Sequence, residues 1–207
     1  YVYHALLSFT LIFSLYLISK KLCRTGSTIA PTAIFFLLLF LAEKYLPIFN
    51  GVAGQYILGN FFQPSAFGVL LIASITFFWF DKHLIAIFCC LLAAYFHPTY
   101  VLQAGFLTLT YQLILLEKKG LRYAVVIGFV ALIAILPLVY SLYDSFGKLS
   151  PDIIKRSQEI LIYERIPHHA VVGGWLLSKQ MIFMFVILSA AIFVYRKNRN
   201  VILLITV

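Results

Sequence analysis

The chain has 207 residues, of which 63% are hydrophobic and 11% charged, with a formal net charge of +9 and a mean hydropathy of +1.00. Soluble domains carry about a quarter of their residues as charges, so this composition excludes an ordinary soluble fold. The positive charge does not point to nucleic acid either. The basic residues sit in short loops between apolar runs, as cytoplasmic loops do in membrane proteins.

The apolar runs are unbroken blocks of Leu, Ile, Phe, Ala and Val, without the period-2 alternation of barrel strands. About 20 such residues cross a hydrocarbon core of roughly 30 Å. In lipid they must be helical to satisfy their own backbone. The pattern predicts helices over about 3–19, 31–47, 64–80, 84–97, 98–116, 123–143 and 174–195, with another starting at 201. The expected fold is therefore all-α, a polytopic transmembrane bundle of seven to eight spans forming one domain over 1–207. Tyr1 stands where an initiator Met would, and the last residues, 201–207, are still apolar, so the chain reads as a fragment of a longer one.

Prolines punctuate this scheme. Pro31, Pro64, Pro98 and Pro151 fall where helices should begin, a position that needs no N–H donor. Pro137 lies inside a predicted helix and is expected to kink it. Cys23, Cys89 and Cys90 have neither disulfide-framework nor zinc spacing.

Ten of the sixteen Lys and Arg residues lie in alternate loops: Lys20, Lys21 and Arg24; Lys82; Lys118, Lys119 and Arg122; Arg196, Lys197 and Arg199. The positive-inside rule puts these loops in the cytoplasm and the segment 144–174 on the outer side. That segment is the only long loop. Ser150-Pro151-Asp152 is a good helix start, with a capping hydroxyl, a proline at the first position and an acid near the dipole. Ile153, Ile154, Ile160 and Leu161 then share one face, with Asp152, Lys155, Arg156 and Glu159 on the other. This predicts an amphipathic helix in the outer membrane surface. Pro167 should end it near Glu164–Arg165.

The conspicuous polar groups outside the cytoplasmic loops fall on that same outer side. The stretch "GQYILGNFFQPS" (54–65) supplies Gln55, Asn60 and Gln63; "FHPTY" (96–100) supplies His97; "ERIPHH" (164–169) supplies Glu164, Arg165, His168 and His169. Convergence of three loops would build one pocket, with amides for hydroxyls and Arg or His for an anion. The candidate substrate-binding residues are Arg165, His168, His169, His97, Gln55 and Asn60. Each has a plainer reading. His97 would cap the helix after Pro98, Arg165 would meet an acid or bulk headgroups, and Lys179 would snorkel. Adjacent His168 and His169 diverge and lack a third ligand unless His97 joins them, so no metal site is expected.

No ionisable side chain falls near the middle of a predicted span, which argues against an ion-coupled transporter. GxSxG, HExxH, P-loop and dinucleotide fingerprints are absent, so no catalytic residue or cofactor is assigned.

On "GQYILGNFFQPSAFG", "FHPTY" and "ERIPHH", residues 50–175 resemble a family of bacterial multi-pass membrane proteins of unassigned activity. These carry similar Gln/Pro, His-Pro-Thr and Arg-Ile-Pro-His-His signatures. More remotely, the architecture is similar to the GT-C glycosyltransferases, many-helix enzymes that take a sugar from a polyprenyl-phosphate donor on the outer face. That resemblance implies a donor-phosphate site at Arg165, with Lys155 or Arg156, assisted by His168 or His169, while Gln55, Asn60 and His97 contact sugar or acceptor. The chain departs from the GT-C pattern in lacking an acid in a first outer loop.

Two readings follow. One is a lipid-linked-sugar transferase in a bacterial inner membrane, with membrane lipids and a polyprenyl phosphate as partners. The other is a non-catalytic subunit that packs against other membrane subunits. Neither involves nucleic acid.

Overall fold

The computed structural model describes residues 2–22, 29, 31–33, 35–36 and 64–205, apart from the side chains of Leu22, His168, His169, Gln180 and Ile205. Most of the expected helix over 31–47 lies outside the described residues, as do Gln55, Asn60 and Gln63. Among the described residues there are nine helices and no strand. In chain order they are α1 (Val2–Leu22), α2 (Gly68–Trp79), α3 (His83–Phe96), α4 (Tyr100–Lys119), α5 (Leu121–Phe146), α6 (Pro151–Glu159), α7 (Pro167–Ala170), α8 (Lys179–Tyr195) and α9 (Arg199–Ile205).

Local chemistry sets most of the boundaries. Pro64 opens a 3₁₀ turn, Pro64–Phe67, that leads into α2. Past Trp79 the chain turns sharply on Asp81, the one non-glycine residue with positive φ (57°) among those described. Lys82 N donates to Phe77 O and Asp81 N to Phe78 O, closing a Schellman motif with an aspartate in the left-handed position. Gly120, at φ 85°, makes the tight link between α4 and α5. Ser150 caps α6 by accepting from Ile153 N, with Pro151 at the first position, as expected. The helix then widens into a π turn over Ile160–Arg165, ending where Pro167 predicts. Helix α8 starts at Lys179 rather than 174, because Ser178 caps it by accepting from Met181 N.

Helices α2 to α5 enclose the larger core, which includes Phe78, Ile87, Leu107, Tyr111, Ile114 and Ile127. A second cluster packs α1 on α2 through Leu7, Leu11, Val69 and Leu70. Small residues let these helices approach: Ala86, Cys90 and Ala94 on α3, Ala104 on α4, Ala124 and Ala131 on α5. A Cβ at Gly128 would overlap the Gln112 carboxamide across the α4–α5 contact. Helix α9 folds back on α8 and α4, with Leu203 and Leu204 against the larger core.

One buried polar contact ties three helices. Ser74 Oγ donates to Ala86 O at 2.7 Å, and its oxygen lies 2.9 Å from the fully buried Tyr111 hydroxyl. A serine has one hydroxyl proton, already committed to Ala86, so Tyr111 is the donor to Ser74. Phe78, one turn on, stacks on the Tyr111 ring at 3.9 Å. On α5, Pro137 lies within the helix as expected. It removes one amide donor, and the Tyr95 hydroxyl donates to the nearby Ala134 carbonyl at 2.7 Å.

The expected seven to eight spans need correction. Among the described residues, two helices are long and apolar enough to cross a membrane, Val2–Lys21 and Leu121–Phe146. The apolar helices α2, α3 and α8 have 12, 14 and 17 residues. At about 1.5 Å per residue, α3 reaches only about 21 Å and α8 about 26 Å. Helix α4 has 20 residues, but its two lysines, Glu117 and two glutamines dilute its hydropathy. The apolar run from Pro64 yields a shorter α-helix than expected because its first four residues form a 3₁₀ turn.

Both long helices turn their apolar side chains outwards. Only 17% of the most apolar window of each is buried, so neither is the central helix of a soluble core. Phe129 on α5 and Val194 on α8 are 60% and 70% exposed.

Removing one partner of the buried hydroxyl pair should matter more than removing the other. Tyr111→Phe deletes a donor and keeps the stack, at about 1 kcal/mol. Ser74→Ala strands the Tyr111 hydroxyl inside the bundle, at about 1–3 kcal/mol. Unfolding in detergent should therefore rank Ser74→Ala below Tyr111→Phe in stability; the reverse order would refute the assigned donor direction.

Candidate functional site

The bundle has two chemically different ends. Helices alternate in direction, so the links at Lys21, Asp81–His83, Lys118–Lys119 and Asn198–Asn200 gather at one end, here the basic end. The other end carries the Pro98 turn and the segment from Phe146 to Ser178.

At this loop end, His97 follows α3 with an extended backbone. Its Nδ1 lies 2.7 Å from Thr99 Oγ1 and accepts from Thr99 N at 3.4 Å. The ring therefore bonds within its own turn, and the expected capping of α4 by His97 does not occur, since that helix start carries no side-chain cap. Nearby, the Tyr100 hydroxyl donates to Ser65 O at 3.0 Å, tying the start of α4 to the start of α2. Arg165 stands on the exposed end of the π turn, beside a shallow hollow of about 330 Å³ formed with Ser157, Gln158, Ile160 and Leu161. Arg156 takes the neighbouring acids, 3.3 Å from Glu159 and 3.9 Å from Glu164. Among the described residues, Arg165 makes no ion pair. No hydrogen bond or ion pair among them joins His97 to Arg165. The backbone of His168 and His169 forms α7, and their side chains, like Gln55 and Asn60, lie outside what is described. Among the described residues no three of His, Cys, Asp and Glu cluster as metal ligands.

The basic end is better built. It holds a cavity of about 400 Å³, with Lys21, Lys118, Lys119, Asn198 and Asn200 among its polar walls and Phe78, Ile114, Leu115 and Leu204 as its apolar floor. The Asp81 turn delivers His83 to the wall. The His83 side chain is 6% exposed, with Nε2 at 3.6 Å from the Asp81 carboxylate. Its Nδ1 lies 2.9 Å from the Tyr123 hydroxyl on α5. Lys21 bonds the Trp79 carbonyl and lies 4.6 Å from the Phe80 ring centre. Arg199 is neutralised at the rim by Glu117 at 2.5 Å. Asn200 Oδ1 is buried and accepts no hydrogen bond.

Sequence reasoning passed over His83, Asn198 and Asn200 because each is a single polar residue beside a basic loop. The available signal was Asp81-Lys82-His83, an acid and an imidazole bracketing a turn.

No protein-family model matches this chain, and neither a curated protein nor a solved structure is similar to it. The functional reading therefore rests on these geometries.

His83 opens α3 outside the apolar run that begins at Leu84, and burial pulls its pKa below the usual 6.5. Asp81 opposes that shift, while Lys119 and Lys118 reinforce it. The unfolded chain thus binds a proton as pH falls through 6.5, before the folded chain does, and stability is lost in that range. Thermal unfolding should drop between about pH 7.5 and about pH 5.5 in wild type. His83→Gln should flatten the profile; equal slopes in both proteins would exclude His83 as its source.

Proposed function

We propose that this chain is an integral membrane protein that engages a phosphate-bearing lipid headgroup at the loop end of its bundle. The observation that carries this is the state of Arg165: it is exposed and free of carboxylates among the described residues, while Arg156 holds Glu159 and Glu164. It also sits on an amphipathic segment whose Ile153, Ile154, Ile160 and Leu161 are exposed, the arrangement of a helix lying in an interface. A guanidinium there is suited to bidentate capture of a phosphate.

In the enzymatic form of this reading, the lipid is a polyprenyl-phosphate sugar donor. Arg165 binds its phosphate, with Lys155 or Arg156 and with His168 or His169 assisting, and Gln55, Asn60 and His97 contact sugar or acceptor. The membrane is a bacterial inner membrane, crossed more often than by the two long helices, with 144–174 outside and the basic end in the cytoplasm.

A specific observation favours the second reading, a non-catalytic subunit. Of the acids between Asp144 and Glu164, three are held in ion pairs: Asp144 by Lys148, and Glu159 and Glu164 by Arg156. A transferase needs a free base to activate its acceptor, and Asp152, in the first turn of α6, is the only unpaired acid described on this segment.

Mass spectrometry of lipids that co-purify with the protein separates the two. Wild type should retain a polyprenyl-phosphate species that Arg165→Ala and His169→Ala lose. Identical bulk phospholipids in all three would sink the donor site and leave the subunit reading.

A further inference from the structure

The geometry points to a second site at the basic end: the cavity framed by Lys21, Lys118, Lys119, Asn198 and Asn200 binds a phosphate group. No part of this rests on the loop-end reading, and it uses different residues on the opposite end of the bundle.

Charge balance is the first support. Three ammonium groups border one cavity whose only carboxylate among the described residues, Asp81, is 72% exposed and turned to His83. Among the described residues, neither Lys118 nor Lys119 makes an ion pair, although Glu117 is adjacent in sequence. Glu117 is spent on Arg199. Like charges gathered around one cavity repel one another, and an anion between them reverses the sign of that energy. Burial favours the neutral form of His83, so the positive charge at this site comes from the lysines.

Shape is the second support. About 400 Å³ falls in the range of roughly 300–1,000 Å³ typical of small-ligand clefts. The site is more than a scatter of surface lysines. The Asp81 turn, the His83–Tyr123 contact and the fold-back of α9 bring α2, α3, α4 and α9 around it. The Asn198 and Asn200 carboxamides supply neutral donors beside the ammonium groups. The buried Oδ1 of Asn200 has no partner among the described residues; as an acceptor it calls for a donor, which a singly protonated phosphate monoester carries in its P–OH.

A phosphate can arrive on a lipid or free in solution. The floor of Phe78, Ile114, Leu115 and Leu204 under a basic rim suits a glycerophosphate headgroup whose chains run down the bundle, yet the lysines alone would hold inorganic phosphate.

Trp79 lines the cavity and is one of two tryptophans in the chain. In a Trp175→Phe background it becomes the sole indole reporter. The protein in maltoside detergent is titrated with dihexanoyl phosphatidic acid, inorganic phosphate and dihexanoyl phosphatidylcholine, following Trp79 emission and, in parallel, equilibrium dialysis.

Saturable binding of phosphatidic acid, weakened about tenfold in Lys118→Gln/Lys119→Gln, is the expected result. Saturation by inorganic phosphate as well assigns a free anion; saturation by phosphatidic acid alone assigns a lipid headgroup. Arg165→Ala should titrate like wild type, which keeps this site separate from the loop end. No saturation by either phosphate probe overturns the proposal. So does equal affinity in the double variant, or equal binding of phosphatidylcholine that ignores the lysines. Should the double variant lose helicity by circular dichroism, Lys118→Gln alone and Asn198→Ala serve as its replacements, each expected to weaken binding severalfold.

Discussion

The hydroxyl pair of Ser74 and Tyr111 fixes how three helices are rotated against one another. In an apolar bundle a dispersion contact tolerates sliding, but a buried hydroxyl must keep its partner or lose several kcal/mol of solvation. Ser74 bonds to Ala86 O and Tyr111 bonds to Ser74, so α2, α3 and α4 are locked in register. One turn along α2, Phe78 stacks on Tyr111 and lies 5.3 Å from the His83 ring. Two turns along α4 from Tyr111, the chain reaches Lys118 and Lys119. The polar chemistry of the basic end is thus positioned from within the apolar core.

The two ends show what a sequence carries locally and what it does not. Features within one turn of chain were readable: the serine cap and proline at the start of α6, its end before Pro167, and the proline inside α5 all occur. His97 sits in its turn with Thr99 as its partner, which a His-Pro-Thr string makes available. The helical class was readable for the same reason, since uninterrupted apolar blocks leave no other way to satisfy the backbone.

Features that depend on distant residues were not readable. The number of spans was overestimated because hydropathy measures an apolar run, whereas helix length is decided by where hydrogen bonding stops. Over the run that starts at Pro64 the first four residues form a 3₁₀ turn, so α2 begins only at Gly68. The π turn after Glu159 has no sequence signature that the proline rules supply. The cavity at the basic end joins residues from positions 21 to 204, and nothing in Asn198 or Asn200 announces that α9 folds back beside α4. At the loop end, Arg165 was visible as a charge, but its freedom followed only once Arg156 was seen to take both glutamates.

The segment carrying Arg165 has one more property. Helix α6 and the π turn bury no residue, and they pack mainly on the short turns that follow them. The bundle's register, by contrast, is settled by contacts such as Ser74–Tyr111, far from this segment. The helical scaffold therefore does not depend on this segment. Substitutions along 151–165 can reshape the surface at this end while leaving the scaffold intact, so this stretch is free to diversify at a rate the helical core cannot match.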